Sequence, residues 1–256
     1  LEKKEDQSEK SEAYTTTYNR WYTEDRDSLF QKIEYVESTN YLISGSIPKL
    51  GKEIEKSILK KIYTNKPLRN YLGDQKRTGQ VWYHNAPQYW IRAIDFVPYF
   101  WNQKEGDKIS GHLIEINVNP EKYRSAVASI LNSSLFYWFF LLYGNCRDLT
   151  SREIENFPIS IDSIEDKSIK QLGILANELM EDYKKNANRK ECSYATTGKV
   201  IYDEFFPGKS KSIIDKIDDV LADHYKFSKE EKEYIKNFSI EFRLGEEETE
   251  EERFRI

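Results

Sequence analysis

The sequence has few of the features from which disulfide frameworks, metal centres and membrane spans are built. Its two cysteines, Cys146 and Cys192, are too few for a disulfide framework and favour reduced thiols. Neither cysteine shows metal-ligand spacing with any of the three histidines. The longest apolar run, residues 135–143, is about half of the roughly 17 residues that a membrane span requires. No secretory signal opens the chain, so we expect a cytoplasmic location and no membrane partner.

Motifs of the common catalytic and nucleotide-binding sites are also missing. There is neither a G-x-G-x-x-G turn nor a phosphate-cradling G-x-x-x-x-G-K-[ST] loop. The Asn/Asp-Pro-Pro-aromatic loop that holds a flipped base in amino-directed methyltransferases is absent too, since Glu121 follows Asn119-Pro120. The E-x-K triplet at 165–167 lacks the upstream Pro-Asp of metal-dependent nucleases. We therefore predict no catalytic residues, no metal ligands and no cofactor in this chain.

Charge is abundant and unevenly distributed. The 256 residues carry a net charge of −5, and 32% of them are charged. Residues 41–110 contain twelve Lys and Arg against six Asp and Glu, a net charge of +6, which leaves −11 for the remainder. A basic region inside an acidic chain is typical of a surface that meets phosphate. The alternative is a solvated, lysine-rich helix face.

The hydrophobic pattern predicts an α+β fold with a β-rich domain around a buried aromatic helix, followed by a long helix and a C-terminal helical hairpin. The aromatic helix spans 119–143 and is apolar nearly all round, so it should be buried. A helix is expected from Ser46 to about Tyr63, and the long helix from 162 to about 189. Strands are favoured over parts of 14–42, at 80–84, 89–94, 96–101 and 111–118, and 200–206 is a short apolar segment. Capping boxes at Thr150 and Ser228 open two further helices.

These patterns divide the chain into six segments. They are a disordered leader (1–13), a β-rich connector (14–45), a β-rich domain with the aromatic helix (46–160), the long helix with a loop (161–198), the helical hairpin (199–245) and an acidic tail (246–256).

Four blocks of the sequence, in order, resemble one family. They are Arg20-Trp21-Tyr22 with 26–35, Gln80–Tyr83 with 93–100, 130–138 running on to 156–159, and 202–225. Together they resemble the C-terminal target-recognition (TaqI-like specificity) region of type IIG and type IIS restriction–modification adenine-specific DNA methyltransferases, and more distantly type I specificity subunits. The resemblance covers roughly residues 18–245.

The resemblance implies a DNA-binding module without chemistry of its own. Its partners would be double-stranded DNA and an N-terminal catalytic domain of the same polypeptide. That parent would use S-adenosylmethionine, and magnesium if it also cuts DNA. A chain that starts at Leu1 and holds one methionine, Met180, fits our expectation of a fragment or a processed protein.

Side chains that suit base edges or phosphates concentrate in polar loops. Arg and Lys pair with guanine, and Asn and Gln pair with adenine. The candidates lie in a basic turn, in a second polar loop with the strand after it, and behind the aromatic helix: Lys76, Arg77 and Gln80; His84, Asn85, Gln88 and Arg92; Asn145 and Arg147. We interpret Cys146 as a structural cysteine rather than a low-pKa thiol, and Trp82, Trp90 and Trp101 as core residues rather than stacking platforms.

Simpler interpretations remain for these residues. Lys76 and Arg77 in a turn are often only solvated, and Arg147 has Asp148 and Glu153 as ion-pair partners. The chain as a whole has two alternatives: a protein–protein scaffold that uses the long helix and the C-terminal hairpin, and an unrecognised hydrolase. An exposed apolar stripe on the long helix would favour the scaffold.

Overall fold

The computed structural model describes residues 12–19, 21, 23–73 and 79–244, and its fold is α+β. The strands are β1 (Tyr14–Thr15), β2 (Val36–Glu37), β3 (Gln80–His84), β4 (Ala93–Ile94), β5 (Phe100–Asn102), β6 (Gly106–Asp107), β7 (Leu113–Asn117), β8 (Asn188–Tyr194) and β9 (Gly198–Glu204). The α-helices are α1 (Glu53–Ile62), α2 (Arg124–Asn132), α3 (Ser134–Tyr143), α4 (Ser151–Asn156), α5 (Asp166–Asn186), α6 (Lys211–Tyr225), α7 (Lys229–Lys236) and α8 (Ile240–Leu244).

Three small antiparallel sheets accompany the helices. β1 pairs with β2, the second sheet has the order β4-β3-β7, and the third has the order β6-β5-β9-β8. In the second sheet Trp82 lies opposite both Ile94 and Glu115. In the third sheet Phe100 lies opposite Tyr202, so a strand near residue 100 is completed by a hairpin a hundred residues further along the chain.

Helix α3 is the centre of the core, and all ten of its residues are buried. It packs against α2, α4, α6 and α7. The rings of Phe136 and Phe139 both meet Phe157 edge to face, with centroids 5.2 and 5.1 Å apart. The burial predicted for the aromatic helix is therefore confirmed, and its physical cause is the absence of a polar face.

The amino end of α3 is held by a buried carboxylate. The two carboxylate oxygens of Asp218 accept hydrogen bonds from the backbone N–H groups of Ser134 and Leu135, each at 3.2 Å. The hydroxyl of Ser133 accepts the N–H of Phe136 at 3.0 Å. These bonds satisfy helix-terminal donors that would otherwise be buried without partners.

The middle and the carboxyl end of α3 are satisfied in the same way. The indole N–H of Trp138 donates to the buried carboxylate of Glu55 at 3.1 Å. The Lys49 ammonium donates to the carbonyls of Leu142 and Gly144 at 2.9 and 2.8 Å. A cation at a helix carboxyl end also interacts favourably with the helix dipole.

The aromatic helix predicted over 119–143 is not continuous, which corrects that prediction. A short 3-10 helix (Glu121–Tyr123) precedes α2, and the chain bends by 68° between the helices that end at Asn132 and begin at Ser134. The bend occurs because Ser133 is extended, with φ −68° and ψ 153°, and its side chain caps α3 instead of continuing α2.

No single helix in the described ranges is long and apolar enough to cross a membrane. The bent pair 121–132 and 134–143 meets the length and composition criteria only when its two helices are taken together.

Other predicted boundaries also need correction. The helix expected from Ser46 begins at Glu53, because residues 43–46 form a tight turn in which Ser44 and Gly45 have φ values of 48° and 77°. The connector 14–45 is not β-rich: it holds two strands of two residues each and a 3-10 helix at Thr23–Lys32. The strands expected at 89–94 and 96–101 shrink to β4 and β5.

The second half of the chain differs from its prediction in one element. The long helix ends at Asn186, and residues 188–204 form the β8–β9 hairpin where a loop and a short apolar segment were expected. The helical hairpin α6–α7 is confirmed, with a capping box at Ser228. The capping box at Thr150, which opens α4, is confirmed as well.

The apolar stripe of α5 is covered inside the molecule. Leu172, Leu175, Leu179 and Tyr183 are buried, and α5 packs against α2 and α6. The hydroxyl of Ser129 on α2 donates to the carbonyl of Leu172 at 2.7 Å. Hence α5 presents no exposed apolar stripe of the kind that would favour a partner-docking helix.

A matched pair of phenylalanines tests the position of the core. Phe139 is 0% exposed in α3, whereas Phe30 is 83% exposed. We expect Phe139→Ala to lower the free energy of unfolding by about 3–5 kcal/mol, because it removes apolar contacts and leaves a cavity. Phe30→Ala should change it by about 0.5 kcal/mol or less. Urea unfolding at one pH measures both, and equal effects of the two substitutions would contradict this core.

The Asp218 carboxyl should leave a pH signature in stability. Burial raises the pKa of Asp218 to about 6, against an ordinary value of 3.8. Because the folded-state pKa is the higher one, ionisation favours the unfolded chain: the contribution is fully present below pH 3.8 and is lost as the pH rises through 6. Between pH 4 and pH 7 we expect the free energy of unfolding of wild type to fall by about 2 kcal/mol relative to that of Asp218→Asn.

The measurement is a series of urea unfolding curves for both proteins across this pH range. Packing differences between Asp and Asn are independent of pH and cancel in the comparison. A wild-type-minus-variant difference that stays constant with pH would contradict the assignment.

Candidate nucleic-acid interface

Two of the polar loops that the sequence selected lie against each other. The backbone N–H of Leu149, in the loop after α3, donates to the carbonyl of Asn85, in the loop after β3, at 2.8 Å. The N–H of Asn85 in turn donates to the carbonyl of His112, just before β7, at 2.9 Å. The structure therefore brings His84 and Asn85 next to the loop that carries Asn145 and Arg147.

The loop after α3 starts from a position that only glycine fits. A Cβ on Gly144 would lie 2.6 Å from the carbonyl oxygen of Phe140. The side-chain oxygen of Asn145 then accepts the N–H groups of Arg147 and Asp148 at 2.9 and 2.7 Å, which closes a tight turn. Asn145 thus uses its side-chain oxygen inside the turn, at an exposed position.

Arg147 projects from this turn. Its side chain is 88% exposed, and its Nε lies 3.8 Å from a carboxylate oxygen of Asp148, which is a long ion pair at an exposed position. Such a pair contributes little and is easily exchanged for another anion. Cys146 is half-buried and its thiol donates to the carbonyl of Leu141 at 3.5 Å, in keeping with a structural cysteine.

His84 and His112 form a stacked pair beside Asn85. Their ring centroids are 5.6 Å apart with an interplanar angle of 27°. The Asn85 side-chain oxygen lies 3.0 Å from Nδ1 of His112. Burial, followed by the charges of Arg92 and His112, lowers the pKa of His84 to about 4, so His84 is neutral at pH 7.

Gln88 and Arg92 have different surroundings. Gln88 is exposed, in the left-handed region with φ 42°. Arg92 is half-buried, and burial lowers its pKa while the nearby Tyr183 and Glu204 act against that shift. Its charge also lowers the pKa of His84, and its carbonyl accepts the backbone N–H of His84 at 3.0 Å, so Arg92 lies beside the cluster formed by the two loops.

The basic turn cannot be placed in this way, because Lys76 and Arg77 lie outside the described residues. The residues on either side of this stretch, Gly73 and Gly79, lie at the other end of β3. The N–H of Gly73 donates to the carbonyl of Asn117, and the carbonyl of Gly79 accepts the N–H of Val118, both at 2.9 Å. Gln80 starts β3 at that end, and its side chain donates to Glu115 at 3.1 Å. The structure does not bring Gln80 together with Asn145 and Arg147, since β3 separates the two groups by about 13 Å.

Two arginines that were not among the candidates from the sequence, Arg69 and Arg152, connect the two ends of β3. Arg152 on α4 donates through Nη2 to the carbonyl of Tyr143 at 3.0 Å, and its own carbonyl accepts the Asn156 side chain at 2.7 Å. The Arg69 guanidinium donates to Asn156 Oδ1 at 2.5 Å. The sequence feature that could have identified Arg69 is its place in the basic segment 41–110. Arg152 had no signal beyond its position inside a capping box.

Part of the positive charge of residues 41–110 is neutralised. Lys56, Lys61, Lys66 and Lys108 form ion pairs with Glu37, Glu231, Asp162 and Glu105. Lys49 caps α3, and burial lowers its pKa. The net charge of this segment therefore overstates the bare positive surface. Among the residues that the structure describes, no group of three or more His, Cys, Asp or Glu side chains is arranged to hold a metal ion.

No family model, curated protein or solved structure matches the chain. The family resemblance and the DNA-reading roles of these residues therefore remain predictions from the sequence.

The buried histidine should make the loop cluster sensitive to acid. Because the folded-state pKa of His84, about 4, lies below its ordinary value of 6.5, protonation favours the unfolded chain. The stability that neutral His84 contributes to the folded chain is fully present above pH 6.5 and is lost as the pH falls through 4. Between pH 7 and pH 5 we expect the free energy of unfolding of wild type to fall by about 2 kcal/mol relative to that of His84→Gln.

Urea unfolding of wild type and His84→Gln at several pH values measures this difference. His112→Gln is the companion variant. It should keep most of the acid sensitivity, because burial of His84 is the larger cause of the shift and His112 a smaller one. Identical pH profiles for wild type and His84→Gln would overturn the interpretation.

Proposed function

We propose that this chain is a sequence-specific double-stranded DNA recognition module of a restriction–modification DNA methyltransferase. Methyl transfer would belong to an N-terminal catalytic domain of the same polypeptide. The observation that carries the proposal is the hydrogen bond between Leu149 and Asn85, which joins the loop of Asn85 to the loop that carries Asn145 and Arg147.

The chemistry of this surface suits base edges in a major groove. Arg147 offers an exposed guanidinium that can donate two parallel hydrogen bonds to guanine. In the structure this guanidinium forms a weak surface ion pair with Asp148. The side chain of Asn145 lies on the same turn, and the side chain of Asn85 lies on the loop bonded to it. Each such bidentate contact discriminates between bases by about 1–3 kcal/mol.

The support of this surface is rigid, which base readout requires. Arg147 lies three residues after Gly144, whose carbonyl is bonded to Lys49 at the end of the buried helix α3. The turn itself is closed by the Asn145 side chain. A side chain on a fixed base loses less freedom on binding than one on a mobile loop.

The scaffold alternative has less support. The feature that would favour it is an exposed apolar stripe on α5, and the residues of that stripe pack against α2 and α6. Ile174, 59% exposed, is a single apolar side chain on that helix and does not make a patch.

A salt titration tests DNA recognition. The 256-residue chain is mixed with a pool of randomised duplexes, and binding is measured by fluorescence anisotropy at about 50 to 200 mM salt, with selection of bound sequences. We expect log K to fall linearly with log [salt] and one sequence to be enriched, because phosphate contacts release counterions and base contacts select. Absence of salt-dependent binding to every duplex, or binding without any enrichment, would sink the proposal.

A substitution at Arg147 then tests the readout. In the enriched duplex we expect Arg147→Gln to lose about 1–3 kcal/mol of discrimination at one base-pair position and little elsewhere. Lys170→Gln, an exposed change of equal charge on α5, is the matched control and should bind like wild type. Equal preferences for wild type and Arg147→Gln at all positions would remove Arg147 from the interface.

A further inference from the structure

A shallow, open depression lies between the tight turn 43–46 and helix α4. Ser44 and Ser46 line one side, Arg152 and Asn156 line the other, and the rings of Phe139 and Tyr143 are also part of its wall. The carboxylate of Glu153 also lines the depression, so an apolar base is surrounded by hydroxyl, amide, guanidinium and carboxylate groups, a composition typical of small polar-ligand sites.

The turn that forms one wall is fixed in shape. Ile43 and Ser46 exchange two backbone hydrogen bonds, of 3.1 and 2.9 Å. The Ser44 hydroxyl donates to Asn156 Oδ1 at 2.9 Å, which ties the turn to α4. Neither Ser44 nor Gly45 uses its backbone N–H in a hydrogen bond within the described part of the chain.

The charges around the depression are predominantly positive. Arg152, with a side chain 50% exposed, pairs through Nη2 with Glu153 at 3.1 Å. Arg69 reaches the same place through Asn156, and Lys49 is close enough for its charge and that of Arg152 to repel. Arg152 lines the depression itself, and its Nε and Nη2 each lie 3.1 Å from Glu153 Oε1, whereas Arg69 and Lys49 lie beside the depression. Glu153 is also committed to the cap of α4, since it accepts the N–H of Thr150 at 2.9 Å.

We propose that this depression binds a phosphate group through Arg152, Arg69 and the Ser44 turn, and that in the DNA complex it holds one phosphate of the duplex backbone. The second part rests on the proposed function. Guanidinium groups match phosphate oxygens in geometry as well as charge, and backbone contacts set the register in which a protein reads bases. Arg152 is bonded to Tyr143, two residues before Asn145, so a phosphate held here fixes the base of the reading turn.

The first test uses inorganic phosphate and no DNA. Wild type is titrated with phosphate at constant ionic strength, and the backbone amide signals of Ser44 and Gly45 and the Nε signal of Arg152 are followed by NMR. We expect saturable shifts of these signals, and roughly tenfold weaker binding or none in Arg152→Gln, because a charge-assisted hydrogen bond is lost. Shifts spread evenly over the exposed lysines and arginines, or unchanged by Arg152→Gln, would overturn the site.

The second test measures the salt dependence of duplex binding. Arg152→Gln and Arg69→Gln should each reduce the slope of log K against log [salt] by about 0.9, with sequence preference unchanged. Arg152→Lys keeps the charge and should recover most of the slope. Lys170→Gln is the matched control, and urea unfolding verifies that each variant is folded.

The outcomes separate the two proposals. If wild type binds DNA and the Arg152→Gln slope equals that of wild type, the depression holds no backbone phosphate and this inference is wrong while the proposed function stands. If wild type binds no duplex but phosphate shifts Ser44, Gly45 and Arg152, the phosphate site stands and the proposed function fails. If neither DNA nor phosphate binds, both are wrong.

Discussion

Helix α3 has no polar face, and the rest of the described structure is organised around that constraint. A helix buried on every side must have its terminal N–H and C=O groups and its side-chain donors satisfied by protein, because water does not reach them. The partners come from distant parts of the chain: Asp218 on α6, Glu55 on α1, and Lys49 before α1. Burial of charged groups is unfavourable unless each finds several hydrogen bonds. The positions of α1 and α6 relative to α3 are therefore specified by polar geometry as well as by apolar packing.

The same constraint gives the candidate interface its rigidity. Lys49 satisfies the carbonyl of Gly144 at the point where the chain leaves the core, and Arg152 satisfies the carbonyl of Tyr143 beside it. Five residues later the Leu149 N–H is bonded to Asn85. The intervening turn is short, anchored at both ends and closed internally by Asn145. An exposed arginine on such a turn has a fixed origin even though its own side chain is free to move.

Much of the fold was predictable where the signal is local. Capping boxes at Thr150 and Ser228 and the apolar run before Gly144 mark helix ends and a buried helix through neighbouring residues alone. The wrong predictions concern features that neighbouring residues alone do not determine. A serine inside an apolar run does not predict a 68° bend, since the extended conformation of Ser133 depends on capping and tertiary contacts. Strand β8 is polar and mostly exposed, so the local β8–β9 hairpin has no alternating apolar pattern to predict it, and the further pairing of β9 with β5 joins residues about a hundred positions apart.

The candidate interface divides along β3 for the same reason. Loop positions are selected by composition, but whether two loops meet depends on sheet register, and the antiparallel pairing of β3 with β7 puts Gln80 and His84 at opposite ends. Their separation of about 13 Å corresponds to about four base pairs at a rise of about 3.4 Å per base pair. Helix α4, with Arg152 near one end and Arg69 bonded to Asn156 at the other, connects them. The polar surface is thus an extended strip along β3 and not one compact cluster, and under the proposed function its two ends would meet different base pairs.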